Sequence, residues 1–156
     1  MLIREYIPGE EAILREVFLS SVHQLARAYY TPEQIDAWAP TTYDRNKWCE
    51  KIATIRPFVA VVDNRVAGYA DLQASGYIDH FFVSGEFSHR GVGSGLMRHI
   101  HDVAEERGLS KLIADVSLSA EEFFTWHGFV VNTRQSAPVM GLALSNAHMV
   151  KELLGA

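Results

Sequence analysis

Apolar and polar positions divide the chain into a run of short elements. Leu2 to Ile7 alternates, with Leu2, Arg4 and Tyr6 set against Ile3, Glu5 and Ile7, and predicts a strand that Pro8-Gly9 ends. Ile13, Leu14, Val17, Val22 and Leu25 then recur at the spacing of one helical face. Thr31-Pro32 opens a second helix, Thr as cap and Pro at the first helical position, running to about Trp38 before Pro40. Asp44 caps a third through Trp48, Ile52 and Ile55. Phe58 to Val62 reads as a buried strand, Asp63-Asn64 as a hairpin turn and Val66 to Leu72 as the return. After Gly76, Tyr77 to Val83 is expected as one continuous strand. A polar loop, Ser84 to Arg90, leads into glycines and a helix carrying Leu96, Ile100, Val103 and Ala104 inward, which Gly108 stops. Lys111 to Val116 predicts a strand, and Ser119 a short helix ended by Gly128. Phe129 to Thr133 and Pro138 to Leu144 predict two strands, and Ser145 caps a last helix through Leu154.

This order predicts an α/β (α+β) fold with a mixed sheet. With 156 residues, no repeat and no linker, a single domain over 1–156 is expected. The net charge of -5 argues against nucleic acid as the main partner, because phosphate backbones want a basic face. The one cysteine, Cys49, cannot form an internal disulfide framework and reads as a half-buried apolar residue on a helix. Met1 to Pro8 carries charge and is followed by no cleavage site, and no apolar stretch approaches membrane-spanning length. No membrane partner is expected, and the cytoplasm is the default location. His99 and His101 diverge on their helix, so no metal site is expected.

The most informative stretch is Phe82-Val83, the loop from Ser84 to Arg90, then Gly91-Val92-Gly93-Ser94-Gly95. The first N–H groups of a helix lack internal partners and carry the positive end of its dipole. Glycines let a bulky anion approach them. A nucleoside-triphosphate loop needs Lys after its last glycine, and Leu96 stands there. A dinucleotide turn needs its third glycine at position 96 and follows its strand directly; neither holds, although Asp115 imitates the acidic residue of that motif. On this stretch alone, a phosphate cradle and a plain glycine-softened helix start stand level.

The same stretch resembles the coenzyme A-binding motif of the GNAT superfamily of N-acetyltransferases, Gln/Arg-x-x-Gly-x-Gly/Ala, here Ser88-His89-Arg90-Gly91-Val92-Gly93. Ser117 through Phe124 and then Gly128-Phe129 are similar to the family's Asn-x-x-Ala-x-x-Phe-Tyr and Gly-Phe, and Val66-Ala67-Gly68-Tyr69 to its Val-x-Gly-Tyr/Phe strand. The resemblance implies a GNAT-like, mostly antiparallel sheet of six to seven strands with helices on both faces. It implies acetyl-CoA as the acetyl donor, with Phe82, Val83, Ser88, His89, Arg90, Gly91, Val92, Gly93, Ser94, Ser117 and Phe124 around it. It departs at Ser88, at Gly85 where Pro is common, and at Phe124, where many members have a tyrosine proposed as general acid.

Acetyl transfer to an amine requires a base, because a lysine-like amine is protonated at neutral pH. By resemblance, Asp79 and Tyr77 hold the acid/base positions; alternation gives them one face with Phe81 and Val83, opposite Ile78, His80 and Phe82. A carboxylate inside an apolar strand is costly unless paired or functional. His80 reads as structural. His23, Tyr30 and Trp38, with Tyr29, form an aromatic cluster where the family builds acceptor pockets, suited to a cationic amine. Asp71 and Glu122 are further candidate contacts to such an acceptor. The expected reaction is acetylation of a small-molecule or protein amine by direct attack, since no nucleophile signature is present. A coenzyme A-binding sensor that has lost its chemistry is the alternative. A homodimer is the expected assembly.

Overall fold

A computed structural model of the chain describes residues 1–153. The elements run β1 (Leu2–Glu5), α1 (Glu11–Leu25), α2 (Pro32–Trp38), α3 (Arg45–Ile55), β2 (Phe58–Val62), β3 (Arg65–Ala70), β4 (Tyr77–Ile78), β5 (Phe81–Val83), a 3-10 turn at Gly85–Phe87, α4 (Val92–Glu106), β6 (Lys111–Ser117), α5 (Glu121–Trp126), β7 (Val130–Val139) and β8 (Leu142–Glu152). Local signals explain several of these. Thr31 and Gln34 exchange side-chain and backbone hydrogen bonds in a capping box at the start of α2. Asp44 accepts from the Lys47 N–H to start α3. Asp63 and Asn64 both take positive φ, which the two-residue hairpin between β2 and β3 requires.

The strands form two sheets of four, ordered β1-β2-β3-β5 and β4-β6-β8-β7, rather than one sheet of six or seven. All pairings are antiparallel except β4 with β6. Helices cover both faces, as expected. On one side α4 and α5 bury Leu96, Met97, Ile100 and Phe124 against Ala60, Ala67, Leu112 and Met149. On the other, α1 to α3 bury Leu14, Phe18, Val22, Ile35 and Ile52 against Val59, Tyr69 and Leu144. The inward face of α1 is rotated from the expected one: Ile13 and Leu25 are exposed, while Arg15 and Phe18 are buried.

Three expected elements are corrected. The strands expected over Phe129 to Thr133 and Pro138 to Leu144 are instead the continuous β7 and the start of β8, with a turn at Met140-Gly141 between them. The helix expected from Ser145 is strand β8, in which Ala147 and Met149 are buried and alternate with half-buried His148 and Val150; the expected last residue, Leu154, lies outside the described residues. The strand expected from Tyr77 to Val83 breaks at Asp79 and His80. Asp71, with no exposure at all, causes the break: its Oδ1 accepts from the N–H of Asp79 at 2.8 Å and of His80 at 2.7 Å. Amides held by a side chain are lost to the ladder. The break also shifts the faces, so Ile78 joins Phe81 and Val83 on the α4 side, opposite Phe82. Among the described residues, no helix is long and apolar enough to cross a membrane.

Candidate active site

Beyond the break, β5 leaves the second sheet and pairs only with β3. Asp71 N donates to His80 O at 3.1 Å and Ser84 N to Ala67 O at 2.8 Å, with Phe82 opposite Tyr69. That register commits the peptide groups of His80, Phe82 and Ser84 to β3. The N–H and C=O groups of Phe81 and Val83 therefore point the other way, toward β6, where no strand among the described residues pairs with them. The two sheets splay apart at this edge.

A cavity of about 570 Å³ opens there. Its walls come from the end of α1 (Ser21, Val22, Leu25), from Trp38 on α2, from β5 and from Phe123 and Phe124 on α5. Its far end is the glycine turn and the start of α4. Gly91 caps α4 at φ 79°, a left-handed conformation that glycine takes without strain. The first intrahelical bond runs from Gly95 N to Gly91 O at 3.0 Å, so the N–H groups of Val92, Gly93 and Ser94 have no partner inside the helix. A Cβ on Gly93 would lie 3.1 Å from the Phe123 ring. The cradle fits an anionic, extended ligand: bare amides at one end, apolar walls and a free strand edge along its length.

A GNAT acetyltransferase domain model matches residues 26–153. The chain belongs to the GNAT acetyltransferase family. That membership makes it an acetyl-CoA-dependent acyltransferase. It is 33% identical over 147 residues to the uncharacterized N-acetyltransferase YafP of Escherichia coli (strain K12), covering 94% of this chain and 93% of that protein. A GCN5-related N-acetyltransferase structure from Rhodopseudomonas palustris superposes with a TM-score of 0.93 at 30% identity, covering 97% of this chain and 95% of that one. The PaiA N-acetyltransferase of Thermoplasma acidophilum, solved in complex with coenzyme A, shares the fold with a TM-score of 0.77 at 18% identity, over 97% and 98% of the two chains.

Of the residues expected around the acetyl donor, Phe82, Val83, Ser88, His89, Gly91, Val92, Gly93, Ser94, Ser117 and Phe124 all line the cavity, as does Trp38 of the acceptor set. Arg90 does not line it; its guanidinium lies 3.6 Å from Asp63. His23 donates from Nε2 to Ala39 O at 2.7 Å, and Tyr30 donates to Ser145 O at 2.6 Å while accepting from Leu118 N at 2.9 Å. Both fasten α2 and its flanks rather than face the cavity.

Asp79 sits at the break and Tyr77 in β4 just before it, and neither is part of the cavity's lining. The Asp79 carboxylate pairs with Lys51 of α3. Tyr77 donates to Asp115 Oδ2 at 3.0 Å; burial and that carboxylate both push its phenol well above the usual range. On Asp115, burial works upward, but hydrogen bonds from His148, Tyr77 and Gln135 prevail and hold it below the ordinary carboxylate value. His80 bonds Tyr69 OH through Nδ1 at 3.0 Å and packs among Phe18, Trp48 and Phe82; burial pulls its pKa well down, so the ring is neutral. Burial lifts Asp71 to about 6 despite the two amides it accepts. Asp71 is thus a scaffold for the break, not an acceptor contact, and Glu122 is exposed on α5.

Sequence reasoning left out Phe81 and Phe123. The break hides the role of Phe81, since its free peptide edge exists only where β5 leaves the second sheet. Phe123 adjoins Phe124 in the motif, but only the packing shows its ring against Gly93.

Proposed function

We propose that the chain transfers the acetyl group of acetyl-CoA to a primary amine by direct attack. The observation that carries this reading is the free edge of β5 running along a cavity that ends at the bare amides of α4. In this reading the N–H groups of Val92, Gly93 and Ser94 hold the pyrophosphate, and Ser88, His89, Arg90 and Gly91 shape the loop beside it. The peptide groups of Phe81 and Val83 pair with the pantetheine amides as a neighbouring strand would. Ser117 and Phe124 flank that arm, and the backbone at Phe82–Val83 orients the thioester carbonyl.

Trp38 offers its ring to the incoming ammonium. Tyr30 and His23 place Trp38 by anchoring both ends of α2. Asp79, which pairs with Lys51, takes a proton from the amine. The nitrogen lone pair forms the C–N bond as the C–S bond breaks, the sulfur leaves as a thiolate, and the second proton of the nitrogen passes to solvent or to that thiolate. A thiol near pKa 8.5 is a good enough leaving group that Tyr77 need not protonate it, and the phenol's bond to Asp115 holds its proton back. The loss of tyrosine at position 124 is tolerated on the same ground.

The reading is completed by a cytoplasmic setting and a homodimer, the latter open to light scattering. The test is calorimetric titration with acetyl-CoA, using a nicotinamide dinucleotide as control, followed by coenzyme A release with a polyamine, amino acids and a peptide N-terminus. One-site binding of acetyl-CoA alone with amine-dependent release supports the reading. Binding without release for any amine favours a sensor module, the reading that Phe124 supports. Binding of the dinucleotide instead sinks both.

A further inference from the structure

Between α1 and α3 the surface sinks into a second cavity, of about 350 Å³. Arg15 forms part of its lining, with Leu19, Tyr43, Arg45 and Trp48 around it. Arg15 is only 7% exposed. A buried guanidinium is normally met by a carboxylate, because a charge left unpaired away from water is costly. Among the described residues Arg15 has no ion pair. Nη2 donates to Pro40 O at 2.7 Å, and Nε, sealed from solvent, finds no acceptor. Nη1 has no acceptor among the described residues either, and Arg15 forms part of the cavity's lining.

Three rings hold the guanidinium in place: Tyr43 at 4.1 Å, Trp48 at 4.9 Å and Phe18 at 5.0 Å. Aromatic faces soften the charge but do not accept its in-plane N–H groups. Burial pulls the pKa of Arg15 down, yet arginine starts so high that it stays charged. Arg45 adds a second cation to the lining, and the acid in it, Glu16, is exposed and does not pair with Arg15. The chain as a whole is acidic, so an unmatched, oriented cation in a cavity is the more unusual.

We propose that this cavity binds a small organic carboxylate, with Arg15 as its anchor. The remaining guanidinium nitrogen can donate to a carboxylate oxygen, and the rings of Tyr43 and Trp48 in the lining suit a hydrocarbon body. A phosphate dianion would need more donors than one guanidinium edge and an exposed Arg45 supply. The site is separate from the acetyl donor's cavity and does not rest on the acceptor assigned above.

The test is calorimetric titration of the full chain with benzoate, and with inorganic phosphate for comparison. The expected result is saturable benzoate binding in the millimolar range or tighter, with phosphate at least about tenfold weaker. Arg15→Met removes benzoate binding and Arg15→Lys weakens it at least about tenfold, since an ammonium is not a planar group that the Tyr43 and Trp48 rings can hold in place. Both variants keep wild-type acetyl-CoA affinity. If Arg15→Met fails to fold, Arg15→Lys decides. No saturable benzoate binding, equal binding by the Arg15 variant, or phosphate binding as tight as benzoate overturns the proposal.

Discussion

Replacing Gly93 by valine should cost acetyl-CoA affinity while sparing the fold, and the packing gives the size of the effect. A Cβ at this position would sit 3.1 and 3.2 Å from two carbons of the Phe123 ring and 3.8 Å from Val83 Cγ2. Carbon atoms pack comfortably at about 3.5–4.0 Å, so the ring must retreat by roughly half an ångström for the first carbon alone. It is hemmed in by Phe81 at 5.5 Å, Phe124 at 5.8 Å and His127 at 4.6 Å between ring centres. The space left to it is the cavity itself. Crowding of this kind typically costs about 1–3 kcal/mol. The free protein relieves it by letting Phe123 or the valine methyls into the cavity; a bound acetyl-CoA has to reverse that. The cost therefore falls on binding, as a rise in Kd of about five- to a hundredfold. Losing a glycine near the helix start returns at most about 1 kcal/mol to the fold, so the thermal midpoint should move little. Gly93→Ala should fall between wild type and Gly93→Val. Calorimetry and thermal unfolding on the same preparations separate the two effects. Wild-type affinity in a folded Gly93→Val protein would refute the placement of the cradle.

Asp79→Asn should lower kcat by about a hundred- to ten-thousandfold with acetyl-CoA affinity unchanged, and a full rate across the pH range would remove Asp79 as base. Tyr30→Phe strips the partners from Leu118 N and Ser145 O; it should cost about 2–4 kcal/mol in denaturant unfolding, and an unchanged midpoint would show that the hydroxyl is not what fastens α2. Asp71 and His80 should oppose one another as pH changes. Asp71 is lifted from 3.8 to about 6 in the fold, so its contribution is full below 3.8 and is lost as pH rises to about 6. His80 is pulled below 6.5, so its contribution is full above 6.5 and is lost as pH falls toward its folded value. Thermal midpoints of Asp71→Asn should climb more steeply than wild type between about pH 4 and 6, and those of His80→Gln should decline there; parallel profiles for all three proteins would contradict both environments.

What the residues disclosed in advance was local. The Asp63-Asn64 hairpin, the Thr31 cap and the Gly91 turn each follow from side chains within a few positions of one another, and each stands where the pattern put it. The glycine turn also drew most of the expected donor residues to one cavity, because backbone amides at a helix start need no distant partner. The last strand was misread because Ser145, Ala147, Lys151, Glu152 and Leu153 suit a capped helix, while the partners that make it a strand lie in β6 and β7. Its period of two was present in Ala147 and Met149, but helical propensity outweighed it.

The break at Asp79–His80 was the harder feature, and it matters more to function. Nothing within Tyr77 to Val83 requires it: the segment alternates well enough to be one strand. It exists because a carboxylate five residues beyond the start of an apolar run, Asp71, is drawn into the core and takes two successive amides. An ordinary strand continuing β4 would pair with β6 throughout and close the gap that now holds the cavity. A charged group in an apolar stretch has to be paid for, and here the return is architectural: the free edge of Phe81 and Val83, the splay of the two sheets and the position of Asp79 all follow from one buried side chain. The acid worth suspecting in such a run is thus not only a reagent; it can be the wedge that opens the place where reagents meet.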